Sequence, residues 1–310
     1  MTRAVGDERT RLSSRAALAS VTLALTLLLA KGWAAWATHS TAMLGSLADT
    51  SLDLIASLVT LAGIRIAAMP ADHDHRFGHG KAEALVALAQ VVLIAVSAIG
   101  IAWRAAWRFV EGGETAQMEL GIGVSLLAMA ATGLLLWYQR RIIARTGSVA
   151  IRTDNVHYQS DLLLNSAVIL ALLLDQQFAL RGADAIFGMG IAAWLLFGAY
   201  RASREAIHQL MDREWPEEQR ASFLAATRDY PELAGLHDLR TRTSGTHSFV
   251  QFHVWVPGDW TVREAHDRMD RIEEALQARF PGTEILIHLD PEGHTDRETM
   301  LPSDITESAT

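Results

Sequence analysis

The stretch SLADTSLDLIAS, residues 46–57, sets Asp49 and Asp53 four positions apart inside a run that is otherwise apolar enough to lie in a membrane. Four residues is close to one helical turn, so both carboxylates project from one face of a helix. Carrying an ionisable group to the middle of a bilayer costs about 2.5–3.5 kcal/mol even on lenient scales, so such groups mark a pathway or a bound partner. A second run repeats the arrangement: NVHYQSDLLLNSA, residues 155–167, sets His157 and Asp161 at the same spacing. With the two helices facing each other, three carboxylates and one imidazole converge, a donor set that suits the tetrahedral nitrogen and oxygen coordination of zinc. Two other readings of the same residues stand: hydrated polar groups that only pair helices, and a proton or sodium path without a transition metal. His157 argues against magnesium, which prefers oxygen ligands and retained water. Lys31, Gln90 and Asn165 also fall in apolar runs, but each is isolated along the chain and reads as an interhelical hydrogen bond or a snorkelling end.

Around these two stretches the chain divides by composition. Of its 310 residues 50% are hydrophobic, and most of these lie between Ala16 and Leu210 in blocks of the length a helix needs to cross a hydrocarbon core. Six helical spans fit, at about 16–37, 42–68, 82–104, 117–139, 154–175 and 184–207. The first apolar block is too long for a signal-peptide core and no A-x-A-like site follows it, so it reads as the first span. Basic residues sort by side. Arg3, Arg9, Arg11 and Arg15 precede the first span, Arg76 and Lys81 lie between the second and third, and Arg140, Arg141, Arg145 and Arg152 join the fourth to the fifth. The opposite connections are poor in them, so the positive-inside rule places both termini in the cytoplasm.

The expected fold is therefore a polytopic α-helical membrane protein with six transmembrane helices and a C-terminal cytoplasmic α+β domain. Its parts are a cytoplasmic tail over 1–15, a transport domain over 16–209, an α+β domain over 210–293 and a polar tail over 294–310. After Trp215-Pro216 the order reads helix, strand, strand, helix, strand, and the two middle strands alternate polar and apolar residues around SGT, a hairpin signal. Cysteine is absent, so any metal site is built from His and carboxylate. A net charge of −8 gives no sign of a nucleic-acid partner.

Two further groups of metal-ligating residue types stand outside the apolar runs. In DHDHRFGHGK, residues 72–81, three imidazoles and two carboxylates crowd one loop, which reads as either a metal site or a solvated polar loop. Gly78 and Gly80 permit the sharp turn that would gather them. The C-terminal domain carries a dispersed set of His237, His253, His266, His288 and Asp290, of which the last two share a strand face by period two. A lone strand histidine is more often a satisfied residue than a ligand.

Together these segments resemble the cation diffusion facilitator family, most closely its compact bacterial zinc–proton antiporter branch of YiiP type. The match runs through SLADTSLDLIAS, PADHDHRFGHGKAEAL at 70–85, HYQSD at 157–161, MDREWP at 211–216 and HDLRTRTSG at 237–245. The resemblance implies a homodimer that exports zinc against protons, with Asp49, Asp53, His157 and Asp161 as the transport site. It implies a loop site at Asp72, His75 and His79, with His73 and Asp74 as nearby substitutes. It also implies a ferredoxin-like, metallochaperone-type C-terminal domain with a binuclear zinc site at the dimer interface. There Asp290 bridges two ions, His237 and His253 on one and His266 and His288 on the other. Eukaryotic relatives often carry a His-rich loop between spans four and five, whereas here that loop is RRIIARTGSVAIR and has none.

The expected protein is not an enzyme. It is a secondary transporter of the bacterial inner membrane whose substrates are divalent metal ions and protons. No phosphate-cradling loop supports ATP use, and no H-E-x-x-H supports an intramembrane metallohydrolase. A membrane-anchored zinc sensor, or an exporter whose main ion is iron or manganese, is the alternative.

Overall fold

The computed structural model describes residues 2–38, 41–111, 122–178, 183–245 and 247–293. The expected polar tail over 294–310 lies outside them. Two compact units form, one over Thr10–Ile207 and the other over Met1–Arg9 with His208–Thr310.

The first unit is built from six long helices: α1 (Thr2–Thr38), α2 (Thr41–Ala67), α3 (Ala82–Glu111), α4 (Ile122–Thr146), α5 (Val149–Phe178) and α6 (Ala183–Leu210). Its core is made largely of small residues, with Ala16, Ala17, Ala84, Ala87 and Ala98 fully buried. Large apolar side chains such as Leu29, Trp33, Val96 and Leu127 point outward, each more than half exposed. That inversion fits helices that meet through small residues and face lipid rather than water. Gly63 shows how tight the contact becomes: a Cβ there would run into Val86, so α2 and α3 touch backbone to side chain. Among the described residues four segments are long and apolar enough to cross a membrane: Glu8–Trp33, Asp49–Ala67, Ala82–Trp107 and Ile186–Leu210. α4 and α5 carry polar residues as well, Gln139, Arg140 and Arg141 in the second half of α4 and Asp154, Asn155, His157, Gln159 and Asp161 along α5.

Local chemistry sets where these helices stop. Pro70 follows the end of α2 and cannot continue it. Between α4 and α5, Gly147 takes φ +66° and its N–H donates to the Ile143 carbonyl at 2.8 Å, a left-handed cap that reverses the chain within two residues. The start of α5 is then capped from outside its own segment. Glu83, buried in the first turn of α3, accepts the Ser148 hydroxyl at 2.7 Å and the N–H groups of Val149 and Ala150. These are the donors a helix leaves unsatisfied at its N-terminus.

The second unit runs α7 (Glu217–Thr227), a 3-10 turn (Pro231–Leu233), β1 (Leu236–Ser244), β2 (His247–Val256), α8 (Val262–Arg279) and β3 (Thr283–Pro291). This is the helix-strand-strand-helix-strand order expected from the pattern. The sheet order is β1-β2-β3, with β1 antiparallel and β3 parallel to β2, so α8 is the crossover of a parallel pair. One sheet face, through Val250, Phe252, Val254 and Ile285, packs on Phe223, Met269, Ile272 and Leu276. Period two sends Gln251, His253 and Trp255 of β2 to the opposite face, with Leu286, His288 and Asp290 of β3. A capping box of Thr261 and Glu264 starts α8.

Candidate metal centres

Three groups of His and carboxylate bring one ligand atom from each member within 4.8 Å of the others. The first lies between α2 and α5 and comprises Asp53, His157 and Asp161. The His157 ring is buried, and its Nε2 lies 3.1 Å from Asp53 Oδ1. A cavity of about 370 Å³ opens beside the group, lined among others by Lys31, Asp49, Thr50, Asp53 and Asp161. Asp49 therefore shares the cavity but stands outside the three-residue group, displaced one turn along α2. Lys31 turns its ammonium to the Thr50 hydroxyl at 2.7 Å on the same wall. Asn165 donates to the Asp161 carbonyl at 2.7 Å within α5.

The second group sits in the loop between α2 and α3. Asp72 Oδ1 accepts the N–H groups of Asp74 at 3.0 Å and His75 at 2.7 Å, folding the loop around its carboxylate. Imidazoles approach both of its oxygens, His75 Nδ1 at 3.4 Å and His79 Nε2 at 3.3 Å. The His75 N–H, aided by that of Asp74 and by the two imidazoles, holds the Asp72 carboxyl below its ordinary value of 3.8 despite slight desolvation. Gly78, at φ +78°, makes the turn that returns His79 toward Asp72. The Nδ1 of His79 is buried with no hydrogen-bond partner among the described residues. His73 and Asp74 lie in the same loop, outside the group.

The third group joins all three strands: His237 of β1, His253 of β2 and Asp290 of β3. Strand register opposes His237 to His253 and His253 to His288. His253 Nδ1 lies 2.9 Å from Asp290 Oδ2, His237 Nε2 3.3 Å from the same oxygen, and His288 Nε2 3.5 Å from Oδ1. Burial raises the Asp290 carboxyl, but the hydrogen bond from His253 and the three imidazoles outweigh it and leave it below 3.8. His237 Nδ1 must donate, because its partner at 2.8 Å is the Gly235 carbonyl. In the neutral ring Nε2 then presents a lone pair to a carboxylate oxygen, an arrangement that calls for a cation, either a proton on the ring or a metal ion between them. A bulge between His237 and Arg240, with Asp238 at φ +51°, aims the His237 ring at this point. His266 does not join the group. It lies on α8, exposed, 3.4 Å from Asp270.

Asp154, whose carboxyl group is fully buried one turn before His157, is not among the site residues expected from the sequence. The signal was the spacing 154, 157 and 161, which keeps all three on one helical face. Gln90 forms the interhelical hydrogen bonds expected of it, donating to Thr60 and to Asp154 at 3.3 Å, and so links α3 to both α2 and α5.

Residues 17–211 match the family model described as the cation efflux transmembrane domain, and residues 215–292 match that of the cation efflux protein cytoplasmic domain. The chain is 42% identical over 277 residues to proteins named cation-efflux pump FieF from Yersinia pestis (strain Pestoides F) and Yersinia pseudotuberculosis serotype O:3 (strain YPIII), covering 89% of this chain and 92% of each relative. A solved structure of CzrB in its Zn form is 39% identical and matches 28% of this chain and 99% of its own, with a TM-score of 0.25. The metal-bound C-terminal domain of the CzcD transporter from Thermotoga maritima is 23% identical over 26% of this chain and 100% of its own, also at a TM-score of 0.25. A helical transmembrane domain joined to a C-terminal domain of this type makes the chain a member of the cation efflux, or cation diffusion facilitator, family, of its YiiP type.

Proposed function

We propose that the chain exports zinc from the cytoplasm in exchange for protons, as a homodimer in a bacterial inner membrane with both termini cytoplasmic. The observation that carries this reading is the convergence of Asp53, His157 and Asp161 inside the helical unit, beside a cavity that Asp49 also lines. Two carboxylates and an imidazole with no thiolate suit zinc, and Asp49 supplies the fourth ligand by turning into the cavity. In this reading α4 and α5 cross the bilayer despite their polar residues, giving six spans within 16–209. The polar residues of α5 face the bundle interior, where ionisable groups in membranes belong.

Coupling follows from competition for the same lone pairs. Imidazole and carboxylate bind zinc only when deprotonated, so loading the ion releases protons and reprotonation releases the ion. His157, of a residue type that titrates near physiological pH, is the principal proton acceptor. The groups at Asp72, His75 and His79 and at His237, His253, His288 and Asp290 bind zinc without lying on the route. The second of these, with His266 supplied at the interface of two C-terminal domains, holds the dimer together when metal is plentiful.

The test is metal uptake into proteoliposomes with zinc, cadmium, iron and manganese side by side, with and without a pH gradient. Zinc uptake driven by the gradient supports the reading. Manganese or iron uptake without zinc, or zinc binding without flux, replaces it with an exporter of another ion or with a sensor.

A further inference from the structure

Asp154 lies outside the three metal groups, yet its carboxyl group gathers hydrogen bonds from three other helices. Its carboxylate accepts the Ser20 hydroxyl of α1 at 2.7 Å, the Gln139 amide of α4 at 2.8 Å and the Gln90 amide of α3 at 3.3 Å. The neighbours extend the web. Gln90 donates to Thr60 of α2, Asn155 donates to the Gln139 carbonyl oxygen at 2.9 Å, and the Tyr158 hydroxyl meets Ser57 of α2 at 2.8 Å and the Ser20 carbonyl at 3.2 Å. Residues 154, 155 and 158 thus tie α5 to four of the other five helices, α1 to α4.

A packing role alone would not need a carboxyl group here, and burying one is costly. A carboxylate offers what an amide or hydroxyl does not: two oxygens with lone pairs for three donors arriving from three directions. Donors on three sides fix more than the position of α5, because they also fix its rotation about its own axis. His157 follows Asp154 by three residues on that face, and on α2 the anchors Ser57 and Thr60 follow Asp53 by one and two turns. The web therefore holds the two helices whose side chains meet at the His157–Asp53 contact of 3.1 Å.

We propose that Asp154 is a positioning residue: anchored by Ser20, Gln90 and Gln139, it sets the rotation of α5 and with it the His157–Asp53 spacing that selects which divalent cation is carried. This rests on the transport reading above. A set spacing favours one ionic radius, so loosening the anchor broadens the range of ions accepted before it stops transport.

The experiment uses the full chain in proteoliposomes and measures the KM for zinc and the zinc-to-manganese ratio of initial rates. The variants are Asp154→Asn, Gln139→Glu, the double variant, and Asp53→Ala as a control. Asp154→Asn is expected to raise the zinc KM by about tenfold, the lower end of the loss when an outer-shell partner of a bound metal is removed, and to lower the zinc-to-manganese ratio. The double variant returns a carboxylate to the cluster with the amide opposite, and is expected to recover both values. Asp154→Asn with wild-type KM and ratio overturns the proposal. So does a folded double variant that recovers neither, or a loss of maximal rate with the ratio unchanged. If Asp154→Asn does not fold, Ser20→Ala removes one donor and leaves the charge, and the same shift in ratio is expected of it at smaller size. Absent zinc flux in the wild type instead removes the transport reading, full flux in Asp53→Ala removes the assignment of the site, and either result takes the proposal with it.

Discussion

His157 Nε2 lies 3.1 Å from Asp53 Oδ1, a contact that joins α5 to α2 across 104 positions of sequence. Two helices that are not neighbours in the chain thereby offer a nitrogen and an oxygen to the same point, and Asp161 adds a second oxygen from the turn after His157.

Asp53→Ala and Asp161→Ala each remove one of three converging ligands. Zinc flux in proteoliposomes is expected to fall by more than about tenfold in both, since even outer-shell partners of bound metals account for losses of that order. Thermal melting should stay close to wild type, because neither residue belongs to the Asp154 web. Near-normal flux in either variant would end the assignment of the site.

His157→Asp exchanges a borderline nitrogen donor for a hard oxygen. Manganese uptake is expected to gain on zinc uptake, following the preference of carboxylate for harder ions. The pH at which flux is half-maximal should move down as well, because a carboxyl gives up its proton at lower pH than an imidazole. An unchanged metal ranking contradicts the assignment of His157.

Asp290 is the residue on which three histidines of the C-terminal domain converge. Zinc at about 100 times its dissociation constant would stabilise the folded state by about 2.7 kcal/mol over the chelated protein. Asp290→Asn is expected to lose most of that gain, and Asp53→Ala to keep it. Melting curves with zinc and with a chelator, run on the full chain, separate the two. Identical zinc responses in wild type and Asp290→Asn would show that this cluster holds no ion.

Glu273, on α8, gives a pH signature. Burial raises its carboxyl above the ordinary 4.5, the N–H of Ile287 opposes that, Asp270 adds to it and His266 opposes it, with the net direction upward. An acid that holds its proton longer in the folded state weakens stability as pH rises from its unfolded value through its folded one. Glu273→Gln does not titrate and keeps an oxygen for Ile287. The variant should therefore melt higher than wild type at neutral pH, with the gap closing as pH falls through the raised folded value toward the ordinary 4.5. A gap that widens on acidification would reverse the sign and reject the account.

Local patterns carried much of this molecule into view. The spacing of Asp49 with Asp53 and of His157 with Asp161, the hairpin around Gly245 and the strand alternation of β2 depend on residues a few positions apart, and the structure realises each on the expected element. Non-local relations did not announce themselves. Asp154 is explained by Ser20, Gln90 and Gln139, which come from three different helices, so no window of sequence holds it together with its partners. His237 and His253 meet because of strand register and a bulge, neither of which periodicity fixes. Asp49 stays outside the ligand group although its spacing from Asp53 equals that of His157 from Asp161, both of which belong, so spacing within a helix does not decide membership. His266 was grouped with strand residues from which the fold of α8 keeps it apart.

The Glu83 carboxylate that closes the start of α5 sits four residues after His79, and the N–H of Ala82 already bonds to the His79 carbonyl at 2.9 Å. Four residues of chain therefore separate His79 from the fastening of the helix that carries His157 and Asp161. Mutagenesis of that loop is for this reason not a local experiment. Replacing His79 alters a residue whose backbone carbonyl anchors the first turn of α3, so a change in flux that follows is read beside a check that α5 is still held.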